Sequence, residues 1–125
     1  MKLVALELST KMGSIALIDS GETIKECTWE EKFENRQQLF DALQSLQLDW
    51  DSIDGYVVGR GPGSFSGLRI SFSVINTLAS PRKNKVFSHN SCSALALRYL
   101  SDHTVVVGDA RRNQLWIGEF DGVSL

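Results

Sequence analysis

The chain is poor in the residues that build sites on their own. Of its 125 residues, two are cysteine, two are histidine and two are proline. Cys27 and Cys92 stand at no metal-ligand spacing and form no disulfide framework, so they read as free thiols of a reducing compartment. His89 and His103 are isolated, H-E-x-x-H is missing, and no Ser-His-Asp set stands out, so proteolytic chemistry has no support. Long apolar runs are missing too. Nothing approaches the ~20 residues that cross a bilayer, and Glu7 cuts short the opening apolar stretch that a signal peptide would need. Charge of one sign is also lacking: 13 basic against 15 acidic residues leave a net charge of −2, without the basic excess of proteins that grip phosphate backbones. Arg60, Arg69, Arg82, Lys83, Lys85, Arg111 and Arg112 gather in the second half and read as solvated side chains. These absences predict a cytoplasmic protein with no membrane span and no strong direct nucleic-acid binding.

The most informative stretch is Gly59-Arg60-Gly61-Pro62-Gly63-Ser64-Phe65-Ser66-Gly67-Leu68-Arg69. It leaves the strand-like run Tyr56-Val57-Val58 and opens a helical pattern from Leu68 to Ala79. Gly59, Gly61, Pro62, Gly63 and Gly67 shape the corner, because glycine permits positive φ and close backbone approach while proline fixes φ. Backbone N–H groups ahead of a helix hold anions or a neighbouring carbonyl. The lysine and Ser/Thr of a P-loop are missing, and the spacing is not G-x-G-x-x-G.

Hydrophobic content of 42% supports one domain with its own core. Apolar runs at Lys2–Ser9, Ser14–Asp19 and Thr23–Trp29 predict an opening antiparallel meander, with turns at Thr10–Gly13 and Asp19–Glu22. Leu39, Phe40, Leu43 and Leu46 predict one face of a helix over Asn35–Leu48. A strand at Ile53–Val58 leads into the glycine segment. The next helix, about Ser66–Ala79, is stopped by Pro81 and carries Gly63, Gly67 and Ser71 four residues apart, a spacing that admits close packing. Val86-Phe87, a helix over Cys92–Leu100 capped by Asn90 or Ser91, and strands at Thr104–Gly108 and Gln114–Phe120 complete an α/β pattern with a mixed sheet.

The end of the chain echoes its beginning. Val4-Ala5-Leu6-Glu7 returns through Ser14-Ile15-Ala16-Leu17, and Val105-Val106-Val107-Gly108-Asp109 returns through Leu115-Trp116-Ile117-Gly118. Each unit is strand, acid, tight turn and returning strand, which points to a duplicated fold with two acids facing a cleft. Glu7, Thr10, Gly13 and Asp109 are therefore the candidate cleft residues.

Assembled, these features resemble the TsaB (YeaZ) family of tRNA threonylcarbamoyladenosine biosynthesis, whose older label is glycoprotease-like or M22 peptidase homologue. The family's glycine segment, GRGPGSFTGLRIG, matches Gly59 to Ser71; Glu7-Leu8-Ser9-Thr10, Ser14-Ile15-Ala16-Leu17 and Asp109-Ala110-Arg111 match its flanking motifs. Ser71 and Thr77 replace family glycines, Asn35-Arg36 stands where a histidine is common, and Ser88-His89-Asn90-Ser91 replaces Gly-Val-Ser-Thr. The resemblance implies an actin-like ATPase or ribonuclease H-like α/β domain: a mixed five-stranded sheet, opened by an antiparallel meander, with helices packed on it. It further implies a first actin-like domain over residues 1–103 and, at 104–125, the starting hairpin of an otherwise missing second domain.

The function implied by the resemblance is that of a non-catalytic partner subunit. It would bind a TsaD-like protein in making N6-threonylcarbamoyladenosine (t6A), with a TsaE-like ATPase as a further component. No cofactor or metal is expected. The first two helices would supply the interface through Leu39, Leu43, Leu68, Phe72 and Ile75, to a TsaD-like protein or to a second copy as a homodimer. The alternative is an actin-like nucleotide-binding phosphotransferase or ATPase in which Glu7 and Asp109 organise a metal and Thr10–Gly13 hold phosphate. A further alternative is a truncated homologue without t6A activity that self-associates through Thr104–Phe120, where Trp116, Ile117 and Phe120 stand exposed unless docked. Arg60 and Arg69 are expected to pair with Asp51, Asp54 or another carboxylate.

Overall fold

The computed structural model describes residues 1–32, 36–99 and 102–122. Strand β1 (Lys2–Glu7) is the organising element. It pairs antiparallel with β2 (Met12–Asp19) and parallel with β4 (Gly55–Gly59), while β3 (Glu22–Glu30) and β5 (Lys85–His89) form the edges, giving the order β3-β2-β1-β4-β5. The expected mixed five-stranded sheet with its opening meander is present. The meander turns at Ser20 and Gly21, both at positive φ (52° and 84°), the two-residue geometry that suits the twist of antiparallel strands.

Helices α1 (Gln37–Ser45) and α2 (Phe65–Ala79) pack on the sheet side that carries Val4, Leu6, Ile15, Tyr56 and Val58, all buried. Helix α1 turns Leu39 and Ala42 inward, with Leu46 buried just beyond its end. Phe40, expected on the same face, points outward and is 48% exposed: it falls about 100° from Leu39, outside the stripe that reaches the sheet. Asn35, where the first helix was expected to start, lies outside the described residues. Helix α2 buries Gly67, Ser71, Ile75 and Ala79, one residue every four, and the half-buried Leu68, Ile70, Phe72, Val74 and Leu78 flank that row. The helix stops at Ala79, and Pro81 enters a short 3-10 turn. Helix α3 (Ser91–Leu97) is capped by Asn90, whose side chain accepts from the N–H groups of Cys92 and Ser93. It ends at Leu97, short of the expected end at Leu100: Arg98 and Tyr99 form a turn, and Leu100 lies outside the described residues.

Strands β6 (His103–Arg111) and β7 (Gln114–Asp121) form a separate two-stranded sheet. One of its faces carries Thr104, Val106, Trp116 and Phe120, all half-buried, and β6 and β7 pack beside α3. Gly118 lies there against Cys92: a side-chain carbon on it would stand 3.5 Å from Cys92 Cβ. Trp116 and Phe120, expected to stand exposed unless the hairpin docks, are half-buried on the face that packs beside α3, whereas Ile117 is exposed.

Candidate partner face, glycine corner and cleft

The glycine segment would hold an anion through free N–H groups, and those of Arg60, Gly61, Ser64 and Gly67 already have acceptors. Ser64 N–H donates to the Ser9 carbonyl at 2.7 Å, and Gly67 N–H donates to Ser64 Oγ at 3.1 Å. Gly61 N–H donates to Ser91 Oγ at 3.1 Å, while Ser91 N–H returns a bond to the Gly61 carbonyl at 2.9 Å. Arg60 N–H donates to the His89 carbonyl at 2.9 Å. The corner therefore clamps three things together: the β1–β2 turn, the start of α2 and the start of α3. Gly63 and Gly67 are glycine because the backbone of Ser9 and Leu8 occupies the space where their Cβ atoms would lie. Gly59 likewise leaves its Cβ position to the Glu7 carboxylate. The four-residue spacing of small residues thus serves an internal contact.

The flanking arginines do not make the expected ion pairs. Arg60 reaches the Ser88 carbonyl at 3.5 Å, and the Arg69 guanidinium lies over the Phe65 ring, 5.6 Å from its centroid. Asp51 instead binds Arg82 at 2.8 Å, and Asp54 accepts from the Lys2 N–H at 2.7 Å. The nearer carboxylates are engaged by groups that the sheet brings to them.

An open cleft of about 1030 Å³ lies between the corner and the β6–β7 hairpin, with Thr10, Lys11, Phe65, Leu95, Asp109 and Trp116 among its walls. It brings together two of the four candidate cleft residues. Asp109 accepts from Arg111 N–H at 2.7 Å, and Thr10 Oγ1 bonds the Met12 backbone. The other two are placed elsewhere. Gly13 faces the Trp29 indole across the strand pair, because β2 alternation turns it to the helix side. Glu7 lies outside the cleft lining, where Oε1 accepts Ser9 N–H at 2.9 Å and Oε2 stands 3.6 Å from His89 Nε2. His89 is therefore not isolated as the sequence implied; parallel pairing of β1, β4 and β5 carries it to the same strand ends as Glu7. Among the described residues, no group of three or more His, Cys, Asp or Glu is placed to hold a metal ion. Burial pushes the Cys92 thiol up, with the Glu7 charge a lesser contribution in the same direction, so the side chain is a protonated thiol and not an activated nucleophile.

The partner face needs a correction as well. Leu39 and Ile75 are fully buried in the core and offer no surface, because they sit at the centre of the inward stripes. Leu43, Leu68 and Phe72 are half-buried and remain available. Phe40 and Phe65, 48% and 74% exposed, extend the apolar surface of the two helices. Sequence reasoning also missed a buried clamp. Glu31, at the end of β3, accepts the Trp29 indole N–H at 2.7 Å and Arg36 at 3.0 Å, and Arg36 donates onward to Ser66 Oγ at 2.9 Å. This ties the starts of α1 and α2 together. A carboxylate between a strand and a helix was the available signal, but the clamp joins residues of β3, the start of α1 and α2.

No described helix is long and apolar enough to cross a membrane. Residues 37–124 match the family model described as TsaD, tRNA N6-adenosine threonylcarbamoyltransferase. The tRNA threonylcarbamoyladenosine biosynthesis protein TsaB of Haemophilus influenzae is 28% identical over 126 residues, covering 95% of this chain and 53% of that protein. Its Bacillus subtilis namesake is 29% identical over 124 residues, covering 94% and 54%. A solved Pseudomonas aeruginosa structure, described as an uncharacterized protein with similarity to peptidase YEAZ, superposes with a TM-score of 0.86 at 26% identity, over 96% of this chain and 59% of that one. The chain spans about half the length of the curated relatives it matches. The glycine corner, the sheet order and these matches agree: the chain belongs to the TsaB/YeaZ family, within the group described by the TsaD model.

Proposed function

We propose that the chain is a non-catalytic partner subunit in t6A biosynthesis, docking on a TsaD-like protein through the outward sides of α1 and α2. One observation carries this reading: α2 has more apolar surface than the sheet can use. Ile75 fills the core, while Leu68, Ile70, Phe72, Val74 and Leu78 stay half-buried and Phe65 is exposed. Helices that pack in a bundle bury such flanking rows. The glycine corner supports it by fixing where α2 starts, and the Glu31–Arg36–Ser66 clamp holds α1 beside it. The names of the curated relatives supply the pathway.

The test is co-purification with the TsaD-like protein of the same cell, read by size exclusion with light scattering. A stable complex that Phe40→Asp or Phe65→Asp abolishes, with the melting temperature retained, is expected. A strictly monomeric chain that ignores that protein sinks the reading; a homodimer lost with the same substitutions assigns the face to a second copy. The cleft gives a specific reason to test the nucleotide alternative, since Thr10 and Asp109 do line it. Calorimetry with ATP and Mg²⁺ decides that point. The expected outcome is no heat of binding, because the N–H groups of Arg60, Gly61, Ser64 and Gly67 already have acceptors within the chain.

A further inference from the structure

The open cleft of about 1030 Å³ begins beside the outward side of α2, and Phe65 and Leu68 belong to both surfaces. Leu95 of α3 and Trp116 of β7 extend its apolar walls, and both Phe65 and Leu95 are exposed. An apolar concavity with a few placed polar groups is the usual form of a binding site. Here those polar groups are mostly donors. Ser64 Oγ accepts the Gly67 N–H and Ser91 Oγ accepts the Gly61 N–H, each at 3.1 Å, which leaves both hydroxyl protons to be donated elsewhere. Neither hydroxyl donates to an acceptor among the described residues. Lys11 enters the lining from the β1–β2 turn and Arg111 from the end of β6. Both are exposed, and neither forms an ion pair among the described residues.

Two cations and two unused hydroxyl donors call for an occupant that brings negative charge and acceptor oxygens. Asp109, the one carboxylate of the lining, leaves that demand standing: its Oδ1 accepts the Arg111 N–H at 2.7 Å within its own turn, and it balances one cation of the two. A phosphate draws on backbone N–H groups at a helix start, and those of Arg60, Gly61, Ser64 and Gly67 are engaged. A peptide matches the lining better. Its carboxylates form charge-assisted hydrogen bonds with lysine and arginine, its carbonyl oxygens accept from hydroxyls, and its apolar side chains suit the walls.

We propose that the cleft takes an acidic segment, with apolar residues among its carboxylates, from the protein that sits on α1 and α2. The acidic side chains meet Lys11 and Arg111, the segment's carbonyl oxygens accept the hydroxyls of Ser64 and Ser91, and its apolar side chains lie on Leu95 and Trp116. The shared residues Phe65 and Leu68 carry the partner from the helix face into the cleft. This inference rests on the reading of α1 and α2 as the partner face. It adds a charge requirement that the apolar helix sides do not impose.

Photo-crosslinking in the complex with the TsaD-like protein of the same cell tests it. Benzoylphenylalanine replaces Leu95 in the cleft or, as a control on the helix face, Phe40. Both positions are expected to link to the partner, and mass spectrometry is expected to place the link from 95 in a segment rich in Asp and Glu among apolar residues. Lys11→Glu combined with Arg111→Glu, at exposed positions, is expected to weaken the complex about tenfold at low salt. At saturating partner the double variant should lose the link from 95 and keep the link from 40. A link from 40 without one from 95, a link from 95 to a segment without carboxylates or to a second copy, or an affinity unchanged by the double substitution overturns the cleft proposal and leaves the helix face standing. Heat of binding from ATP and Mg²⁺ that the double substitution removes assigns the cations to phosphate and overturns it too. A chain that forms no complex sinks both readings.

Discussion

The β1–β2 and β6–β7 hairpins share one plan of strand, acid, tight turn and returning strand, yet they live under different conditions. The first is flanked by β3 and β4 and covered on one side by helices, so Val4, Leu6 and Ile15 are fully withdrawn from water. The second has α3 on one face and water on the other, and its outer side chains Val105, Val107, Leu115 and Ile117 are each about half exposed or more. Sequence pattern alone made the two hairpins look alike. What separates them is the company each keeps, and company decides how strongly a side chain contributes.

The largest expected effect compares the two directly. Leu6→Ala is expected to cost about 3 kcal/mol, because it leaves a cavity in the closed core, and Ile117→Ala less than about 0.5 kcal/mol, because it removes an exposed side chain. Urea unfolding measures both; similar costs would show that the second hairpin is covered in solution. Next comes Gly67→Ala, expected to cost about 2 kcal/mol, since its new methyl meets the Leu8 carbonyl and must displace α2. Its effect on the melt of the first unit should exceed that of Gly122→Ala, where no atom stands near and only the left-handed backbone, φ 61°, costs about 1 kcal/mol. Glu31→Gln ranks third, at about 1–2 kcal/mol, because it strips the charge that faces Arg36 while keeping an acceptor. Thermal unfolding reads it, and a neutral result would show that the clamp does not set the helix starts.

Smaller effects sharpen the contrast. Removing residues 104–125 is expected to leave most of the first unit's melting temperature intact and to speed labelling of Cys92, which now lies under Gly118. The smallest effect is a pH dependence. His103 Nδ1 meets Asp121 Oδ1 at 2.5 Å across the open end of the ribbon. That hydrogen bond first, and the Asp121 charge after it, raise the His103 pKa above its ordinary 6.5. A raised folded-state value means the contact stabilises fully below pH 6.5 and fades as pH climbs through the higher folded value. Protection factors at the β6 and β7 ends, corrected for the base-catalysed intrinsic exchange rate, should therefore fall from neutral to alkaline pH, with those of the first sheet unchanged; His103→Gln should flatten the profile.

Much of the fold was legible because alternation and helical spacing report burial directly. The meander, α2 and the stop at Pro81 are encoded by patterns within single segments. The site was less so. That Gly63 and Gly67 make room was readable, but not that Ser9 and Leu8 fill it, since strand pairing brings those carbonyls from more than fifty residues away. Leu39 and Ile75 read as surface candidates because a one-dimensional stripe does not say which of its rows lies deepest. The Glu7–His89 approach arises from parallel pairing across three strands, and no local spacing encodes it.

The β2–β3 and β6–β7 pairs each carry a tryptophan laid across a glycine of the partner strand, Trp29 over Gly13 and Trp116 over Gly108. One indole is buried with its N–H bonded to Glu31, and the other is half-exposed. Of the protein's three tryptophans, these two thus lie one in each region and in surroundings of different polarity. With Trp50 replaced by phenylalanine, the blue and red sides of a single emission spectrum would track the two regions separately, without any attached dye.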